Sequence, residues 1–487
     1  MARPAQRGYV AAMGCGAIDR GRCEGGSLGS GWPSVGLVVL LAALSSACGP
    51  DSTELRGQDP RPNIVIVSMD TTRADHLSVY GYERDTSPSL RALADEGMRF
   101  EQAYSPSATT APSHASLFTS LAPIAHGVAK NGWPLEDEFE TLAEILTREG
   151  YETAAVVSSY VLSERFGFSQ GFGHFDADFS QADVLEGERL WEGEVVEGKF
   201  YGRADDTTRR ALDWLDTRES PQSPFFLFVH YFDPHNPYIP PSDFSPPFLP
   251  GPREALKLNR TIFFYDAILA FTDDQIGKLI AGLGHRGLEG DTFVVVTGDH
   301  GEGLMEHGHM FHGVHIYEEG VRVPLILRWP GQIPPGVVLP GPVTLTDIAP
   351  TILGLVGAAA QEGAHGQNIA PILRGVGGLQ SERPIHLYRR PYEGGEVVEG
   401  VYAEGEKFGL RRGRWKLIEG PDEGTLELFD LEADPGERTN LVEQQPEVSA
   451  RLRAEIKEWR GTHTRPVDAA VLSAEDRARL EALGYSE

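Results

Sequence analysis

The chain has 487 residues, of which 40% are hydrophobic and 23% are charged. This length and composition suffice for one large core and a smaller second domain, and they exclude a disordered or fibrous protein. The 71 acidic side chains outnumber the 43 basic ones and give a net charge of −28, which repels nucleic acid and anionic lipid head groups at long range. We therefore expect no nucleic-acid partner, although an anionic ester can still bind where a metal ion and histidines reverse the local charge.

A leader is predicted at the N-terminus from three cysteines and one apolar run. All three cysteines, Cys15, Cys23 and Cys48, lie in the first tenth of the chain, which excludes disulfides, cysteine-rich zinc sites and cysteine nucleophiles from the folded region. The apolar run at 36–44 fits a secretory signal better than a spanning helix, which needs about 20 residues. Small residues precede Cys48 as in a bacterial lipobox, so we predict an exported, periplasmic lipoprotein, with residues 1–48 as its leader and a lipid on Cys48 as its membrane anchor. An ordinary cleaved signal or an uncleaved anchor is the alternative.

A polar linker at 49–61 leads into alternating strands and helices. Asn63–Met69 is a near-continuous run of apolar, β-branched residues, as expected of a strand buried on both faces of a parallel sheet. Ser87 as cap and Pro88 as first residue predict a helix that ends at Gly97. Further along, we predict helices at 141–149 and 262–283 and strands at 153–157, 225–230, 292–297 and 324–328. This alternation predicts an α/β sheet with helices on both faces and with chemistry at the carboxyl ends of its strands.

The pattern changes after about residue 375, where short β-like runs alternate with turns rich in glycine, arginine and glutamate. Runs at 407–410, 415–418 and 426–429 predict a small antiparallel sheet. The basic stretch from Arg411 to Lys416 fits either an anion site or the solvated edge of a hairpin, and we favour the second. The predicted divisions after the linker are a catalytic domain at 62–375, a C-terminal subdomain at 376–463 and a tail helix at 464–487.

Polar residues follow two of the predicted strands. Asp70 follows the first strand, and Asp299 and His300 follow the strand at 292–297. Taken alone, Asp70 is better explained as the cap of the next segment. An adjacent aspartate and histidine, however, offer the hard oxygen and the imidazole that suit one divalent cation. Because strand ends in one sheet converge, we expect the three residues to lie close together.

Residues 110–120 carry the most informative motif. It reads Thr-Ala-Pro-Ser-His from Thr110 to His114 and continues Ala-Ser-Leu-Phe-Thr-Ser. The motif resembles the nucleophile loop of the sulfatases, members of the alkaline-phosphatase-like superfamily, whose pattern is Cys/Ser-x-Pro-Ser-Arg-Ala-Ser-Leu-Leu-Thr-Gly. Thr110 stands where that family has the cysteine that is oxidised to formylglycine, and His114 stands where it has arginine. No aldehyde can form at a threonine.

The resemblance extends from residue 63 to residue 440. Its other landmarks are Pro-His-Asn-Pro at 234–237, Arg-Val-Pro at 322–324 and the basic and acidic runs between 410 and 437. It implies an α/β, alkaline-phosphatase-like or sulfatase fold, with a large, mostly parallel sheet flanked by helices and a small C-terminal antiparallel sheet.

The resemblance also implies the ligands of one divalent metal ion, with manganese, magnesium, zinc or calcium as candidates. Asp70, Asp299 and His300 would hold the ion, and Thr110 would complete its shell. Thr71 stands where the family usually has a second aspartate, and the loss of that negative ligand weakens the case for calcium. The ion would stabilise the alkoxide of Thr110, because an unassisted aliphatic hydroxyl is a poor nucleophile near neutral pH. The alternative is a Thr110 hydroxyl that only caps the following helix.

Further side chains are candidates for binding the ester or moving protons. The resemblance places His235 beside the ester's leaving group or its oxygens, and a histidine can protonate a leaving group near neutral pH. It places His312 where the family has a lysine or histidine facing the anion. His114, at the position of the family's arginine, completes the catalytic histidines. Arg73 either clamps an ester oxygen or forms a surface ion pair with the aspartate two residues on. The four histidines within 307–315 offer a second, less favoured metal site.

A threonine nucleophile decides which ester is favoured. In formylglycine sulfatases the hydrated aldehyde expels sulfate from the intermediate, whereas a threonine ester lacks the second hydroxyl for that route and must be attacked directly by water. We therefore predict a hydrolase of sulfuric or phosphoric esters that leans toward phosphate, phosphonate or phosphodiester substrates, either small or linked to a glycan or lipid. The alternatives are a true sulfate-ester hydrolase without formylglycine, a head-group transferase and a metal-binding lipoprotein without turnover. Loops at 176–202 and 240–252 are predicted to shape the pocket.

Overall fold

The computed structural model describes residues 61–179, 201–249, 259–398 and 400–465, the backbone of 189–191 and 194–196, and residues 473, 476, 477, 479 and 480. The predicted leader with Cys48, most of the linker, most of the predicted tail helix and parts of both predicted pocket loops lie outside these residues. In the part of the chain that is described, no helix is both long enough and apolar enough to cross a bilayer.

The described strands form one large sheet, one smaller sheet and two short hairpins. In chain order they are β1 (Asn63–Met69), β2 (Met98–Tyr104), β3 (Glu152–Val156), β4 (His174–Asp176), β5 (Arg189–Trp191), β6 (Glu194–Val196), β7 (Phe225–Tyr231), β8 (Thr292–Gly298), β9 (Arg322–Val323), β10 (Leu325–Arg328), β11 (Val337–Thr344), β12 (Ile385–Arg389), β13 (Glu396–Val398), β14 (Val401–Ala403), β15 (Lys407–Arg412), β16 (Trp415–Gly420) and β17 (Thr425–Asp430). The α-helices are α1 (Pro88–Asp95), α2 (Thr110–Thr119), α3 (Pro123–His126), α4 (Leu142–Arg148), α5 (Ala204–Thr217), α6 (Arg260–His285), α7 (Glu318–Val321), α8 (Ile348–Val356), α9 (Ala370–Leu373) and α10 (Pro446–His463).

The large sheet is mostly parallel, as predicted. Its strand order is β11-β2-β10-β8-β1-β7-β3-β4, with β9 paired to β2. Strand β1 lies between β7 and β8 and runs parallel to both, whereas β10 is antiparallel to both of its neighbours. Each strand predicted for this sheet is present with its ends within one residue of the prediction.

Alternating side chains of β1 enter two hydrophobic cores, one on each face of the sheet. Ile64 and Ile66 pack in one core with side chains of α2, α4 and α8. Val65 and Val67 pack in the other core with side chains of α1, α5 and α6. Every residue of β1 is buried, because helices cover the sheet on both sides and exclude water from both faces. The predicted arrangement of helices around the sheet is confirmed.

The N-terminus of α1 differs from the sequence prediction. Ser87 occupies the cap position but makes no capping hydrogen bond, and its Oγ accepts instead from the N–H of Val79 at 3.0 Å. The N–H groups of Ser89 and Leu90 donate to the carboxylate of Asp273 in α6, both at 2.8 Å. The predicted cap position of Ser87 is confirmed, but its side chain makes no capping hydrogen bond, because a carboxylate from another helix accepts from the free N–H groups.

The smaller sheet is antiparallel, as predicted, with the strand order β12-β15-β16-β17. It packs against α10 through Phe408, Leu410 and Leu417 on the strands and Leu452 and Ile456 on the helix. The shared core explains why α10 belongs with this sheet. The boundary at 375 between the catalytic domain and the C-terminal subdomain stays a prediction.

The basic stretch in β15 and β16 is largely buried. Lys416 is fully buried, and its Nζ lies 3.0 Å from Glu318 Oε1 and 2.9 Å from Glu437 Oε1. Arg411 is also buried, whereas Arg414 is exposed. The prediction of a solvated hairpin edge therefore holds for Arg414 and is wrong for Lys416 and Arg411. The reason is that the partners of Lys416 lie in distant segments that the local sequence does not reveal.

We predict that Lys416→Met lowers the free energy of unfolding by about 3 kcal/mol, because it leaves the buried carboxylate of Glu437 without its counter-charge. The measurement is urea denaturation followed by circular dichroism at neutral pH. Arg414→Met is the matched control, since this arginine is exposed and its ion pair is screened by solvent, so its loss should be much smaller. Equal losses in the two variants would contradict the assignment of a stabilising buried pair.

Candidate active site

Neighbouring parallel strands bring the two candidate aspartates together. In the register of β1 and β8, Met69 lies opposite Gly298, so Asp70 and Asp299 follow their strands at the same level. The N–H of Asp299 donates to the carbonyl of Met69 at 3.2 Å, which extends the pairing past the ends of both strands. The two carboxylates therefore lie at one edge of the sheet.

These carboxylates are buried and only partly hydrogen-bonded. Asp299 Oδ1 accepts from the N–H groups of Thr71 at 3.1 Å and of His300 at 2.7 Å. Asp299 Oδ2 and both oxygens of Asp70 accept no hydrogen bond from the described residues. Burial, together with the charge of Asp299, raises the pKa of Asp70 well above its ordinary value, and burial also raises the pKa of Asp299. Two such groups are unfavourable in the interior unless a positive charge lies beside them.

His300 completes a group of three donor residues. Its Nδ1 lies 3.0 Å from the carbonyl oxygen of Gly301, which assigns the proton to Nδ1 and leaves the lone pair on Nε2. This Nε2 lies 3.7 Å from Asp70 Oδ1 and 3.4 Å from Asp299 Oδ2. Donor atoms of all three residues lie within 4.8 Å of one another. The unpartnered carboxylate oxygens and the unprotonated nitrogen fit a single divalent cation.

Thr110 is the first residue of α2 and points its hydroxyl toward His300. The side chain is fully buried, and Oγ1 lies 3.1 Å from His300 Nε2. The hydroxyl is therefore the donor to the unprotonated imidazole nitrogen. It makes no helix cap, since the N–H of Ala111 donates to Asn131 Oδ1 at 2.8 Å. The cap position of α2 belongs to Thr109, so the capping alternative for Thr110 is not favoured, and its role as the nucleophile stays a prediction.

His114 lies one turn further along α2 and is held by two hydrogen bonds. Nδ1 donates to the carbonyl of Thr110 at 2.8 Å, and Nε2 accepts from Ser68 Oγ at 2.9 Å. Burial lowers the pKa of His114 to about 4, so the imidazole is neutral near pH 7. The residue ties the start of α2 to the end of β1, and the catalytic role predicted for His114 stays a prediction.

Two more of the predicted histidines, His235 and His312, lie beside the donor group. The ring of His312 is centred 4.6 Å from that of His300 and 5.0 Å from that of His235. His312 Nδ1 lies 3.3 Å from Oε1 of Glu302, a fully buried residue that sequence reasoning missed. Burial raises the pKa of Glu302 to about 7 and lowers the pKa of His312 to about 4. The sequence signal that could have identified Glu302 was its position, two residues after His300 and close to the end of a strand.

Arg73 is only 2% exposed, and three neighbours engage its guanidinium. It pairs with Asp75 at 2.7 Å and with Glu306 at 2.9 Å, and it donates to the carbonyl of Glu302 at 3.2 Å. The predicted ion pair with Asp75 is thus present, between an arginine that is buried and an aspartate whose side chain is 53% exposed. An ester oxygen would have to displace one of these partners, so the geometry does not favour the clamp.

Two sets of three metal-compatible donors occur among the described residues. One is Asp70, Asp299 and His300, and the other is His114, His230 and Asp299. None of the histidines within 307–315 belongs to either set. His230, in β7, was not predicted, because a single histidine inside an apolar strand carries no motif.

Comparisons with known proteins identify the family. A sulfatase family model matches residues 62–358, more than half of the chain. A model of the C-terminal part of N-sulphoglucosamine sulphohydrolase matches residues 305–462. An ulvan-active sulfatase of Formosa agariphila is 27% identical over 459 residues, which cover 87% of this chain and 86% of the relative. An N-acetylglucosamine-6-O-sulfatase of Bacteroides thetaiotaomicron is 24% identical over 522 residues, which cover 87% of this chain and 91% of the relative.

Solved structures share the fold. The structure of BT4656 in complex with its substrate D-glucosamine-2-N,6-O-disulfate matches with a TM-score of 0.66 at 23% identity, covering 83% of this chain and 98% of that one. A phosphonate monoester hydrolase from Silicibacter pomeroyi matches with a TM-score of 0.65 at 22% identity, covering 85% of this chain and 98% of that one. At these identities the likeness establishes the fold, and the family follows from the sequence model. Because the sulfatase model matches residues 62–358, this chain belongs to the sulfatase family and is a hydrolase of ester bonds.

Proposed function

We propose that this protein cleaves anionic esters through the hydroxyl of Thr110, with phosphate and phosphonate esters preferred over sulfate esters. The observation that carries the proposal is the 3.1 Å contact between Thr110 Oγ1 and His300 Nε2, beside the unpartnered oxygens of Asp70 and Asp299. A hydroxyl in this position can be ionised and aimed at an anionic centre. No cysteine occurs beyond Cys48, so an aldehyde nucleophile made from cysteine is not available.

Sulfatase family proteins generally bind a divalent metal ion, and Asp70, Asp299 and His300 have the donor atoms to hold one here. Such an ion supplies positive charge that favours the ionised hydroxyl and offsets the charge of the ester. Thr71 stands where the family usually has a second aspartate, and the loss of this negative ligand makes manganese, magnesium or zinc more plausible than calcium.

The side chains have separate tasks in the proposed reaction. Thr110 Oγ1, after losing its proton to solvent, forms a bond to phosphorus while the bond to the leaving oxygen breaks. His235 donates its Nδ1–H to the carbonyl of Asn236 at 2.7 Å, so in the charged imidazole Nε2 is the nitrogen that gives a proton to the leaving oxygen. Water then attacks phosphorus, which restores the Thr110 hydroxyl and releases the acid.

The second step, in which water attacks the ester of Thr110, favours phosphate and phosphonate substrates over sulfate esters. An ester of Thr110 has a single oxygen on its carbon, so the intermediate must be opened at phosphorus or sulfur and not at carbon. Structural neighbours named as phosphonate monoester hydrolases are consistent with this preference. The names of the relatives, which include ulvan-active and N-acetylglucosamine-6-O-sulfatases, support a sugar-linked ester and keep sulfate hydrolysis without formylglycine as the second candidate.

We predict that Thr110→Ala lowers kcat/KM for an aryl phosphonate monoester by at least about a thousandfold, because it removes the atom that forms the covalent bond. Thr110→Ser should retain activity. Thr109→Ala is the matched control, since Thr109 is the adjacent threonine and its side chain makes no capping hydrogen bond. The assay uses manganese-loaded protein with matched aryl phosphate, phosphonate and sulfate esters.

Each outcome of this assay decides one alternative. Faster turnover of the sulfate ester would favour a sulfate hydrolase, and turnover only with an added acceptor alcohol would favour a transferase. Binding of manganese without turnover of any ester would favour a protein that has lost catalysis. Full activity of Thr110→Ala would rule out the proposed nucleophile.

A second prediction concerns the ion itself. Removal of divalent ions with a chelator should lower the unfolding temperature, because a bound ion at a hundredfold excess over its Kd stabilises the fold by about 2.7 kcal/mol. Asp70→Asn should make the unfolding temperature insensitive to the chelator, whereas Asp216→Asn, at an exposed surface aspartate, should leave the shift unchanged. The measurement is calorimetry with and without added manganese. An equal shift in wild type and Asp70→Asn would contradict the assigned site.

A further inference from the structure

We propose that Glu302 is a positioning residue for the reaction, whose carboxylate orients the ring of His312 and links it to the loop that carries His235. The inference rests on the proposed function. It assigns a task to a buried residue that the predicted catalytic set does not include.

Three segments that leave neighbouring strands meet at Glu302. This residue lies in the segment after β8, and its Oε2 accepts from the hydroxyl of Tyr238 at 2.9 Å. Tyr238 lies in the segment after β7, shortly after His235. The carbonyl oxygen of Glu302 accepts from the guanidinium of Arg73, in the segment after β1, at 3.2 Å. Because β1 lies between β7 and β8 and runs parallel to both, Glu302 joins the segments at the carboxyl ends of three adjacent strands.

The other carboxylate oxygen of Glu302 faces His312. Glu302 Oε1 lies 3.3 Å from His312 Nδ1. An ionised carboxylate can only accept hydrogen bonds, so this contact assigns a proton to Nδ1 in both the neutral and the charged ring. Either task predicted for His312, contact with the ester or movement of a proton, therefore uses Nε2.

The ring that Glu302 orients lies at the candidate site. It is centred 4.6 Å from the ring of His300 and 5.0 Å from the ring of His235. The side chain of Glu302 is fully buried, and that of His312 is 8% exposed. In catalytic triads a buried carboxylate fixes the tautomer of a histidine in the same way, and loss of the correct tautomer lowers the rate strongly. We therefore expect the contact between Glu302 and His312 to matter for turnover.

A role as a metal ligand is the competing explanation, because Glu302 is buried and lies two residues after His300. Neither set of three metal-compatible donors among the described residues includes Glu302. Its two oxygens are engaged by the hydroxyl of Tyr238 and the ring of His312. Both oxygens of Asp70, in contrast, accept no hydrogen bond from the described residues. The contacts of Glu302 therefore favour positioning over ion binding.

The test locates the proton on His312 by nitrogen-15 NMR of the magnesium-loaded, full-length protein, with the His312 signals identified by their loss in His312→Asn. Spectra are taken at about pH 8.5, because burial raises the pKa of Glu302 to about 7 and the carboxylate is ionised above that value. Wild type should carry the proton on Nδ1, and Glu302→Leu should move it at least partly to Nε2. Glu302→Gln should keep it on Nδ1, because an amide oxygen also accepts from an N–H group and the amide nitrogen can donate to Tyr238.

Tyr238→Phe is the matched control, since it removes the other hydrogen bond of the same carboxylate. It should leave the proton of His312 on Nδ1. For an aryl phosphonate monoester, kcat/KM should fall by at least about tenfold in Glu302→Leu and by less than about threefold in Glu302→Gln. A role of Glu302 only in anchoring the loops predicts instead similar losses in Glu302→Leu and Tyr238→Phe, with the proton unmoved in both.

A proton on Nε2 of His312 in wild type, or an unmoved proton in folded Glu302→Leu, would overturn the inference. Unchanged kcat/KM in Glu302→Leu would also overturn it. The measurement on wild type needs no variant, so it decides the question even where Glu302→Leu does not fold. Failure of the proposed function is distinct: full activity of Thr110→Ala would remove the nucleophile, whereas the position of the proton on His312 would still test the contact with Glu302.

Discussion

The burial of two carboxylates side by side at the ends of β1 and β8 is the constraint on which the rest of the site depends. Like charges repel strongly in the interior, and three of the four oxygens of Asp70 and Asp299 accept no hydrogen bond from the described residues. The backbone of Thr71 adopts a left-handed conformation, with φ at 46°, and turns its N–H toward Asp299. This conformation is unfavourable for a β-branched residue. Electrostatic repulsion and backbone strain thus occur at the same place. A bound cation there would relieve the repulsion between the two carboxylates.

The smaller sheet is connected to the segment that carries part of this site. The segment after β8 carries Glu302 and His312 and then reaches α7, where Glu318 pairs with Lys416 of β16. The N–H of Glu318 donates to the carboxylate of Glu437 at 2.5 Å, so one buried network joins α7 to the smaller sheet. The segment that carries Glu302 and His312 is therefore tied to the smaller sheet through α7, and this sheet supplies no candidate ligand from the described residues.

The sequence was most informative where side chains repeat with a simple period. The apolar run of β1 and the polar residues that follow β1 and β8 could be predicted because they depend on neighbours along the chain. The burial of Lys416, the cap that Asp273 provides for α1 and the proximity of Glu302 to His312 could not, because each depends on a partner in another segment of the fold. His230 is the clearest case: in the sequence it is one polar residue in an apolar strand, and only the fold shows that its Nε2 lies 3.6 Å from Asp70 Oδ2.

A threonine at the start of α2 has a consequence for how the protein reaches its working state. Formylglycine sulfatases acquire their aldehyde after translation, so they rely on a separate oxidising enzyme. Here the proposed nucleophile is the hydroxyl of an ordinary encoded residue. Thr110 Oγ1 lies next to His300 once the strands and α2 have folded. The proposed nucleophile then needs no oxidation before it can react, and the protein made in a host without the modifying enzyme is chemically identical at Thr110 to the protein made in its own cell.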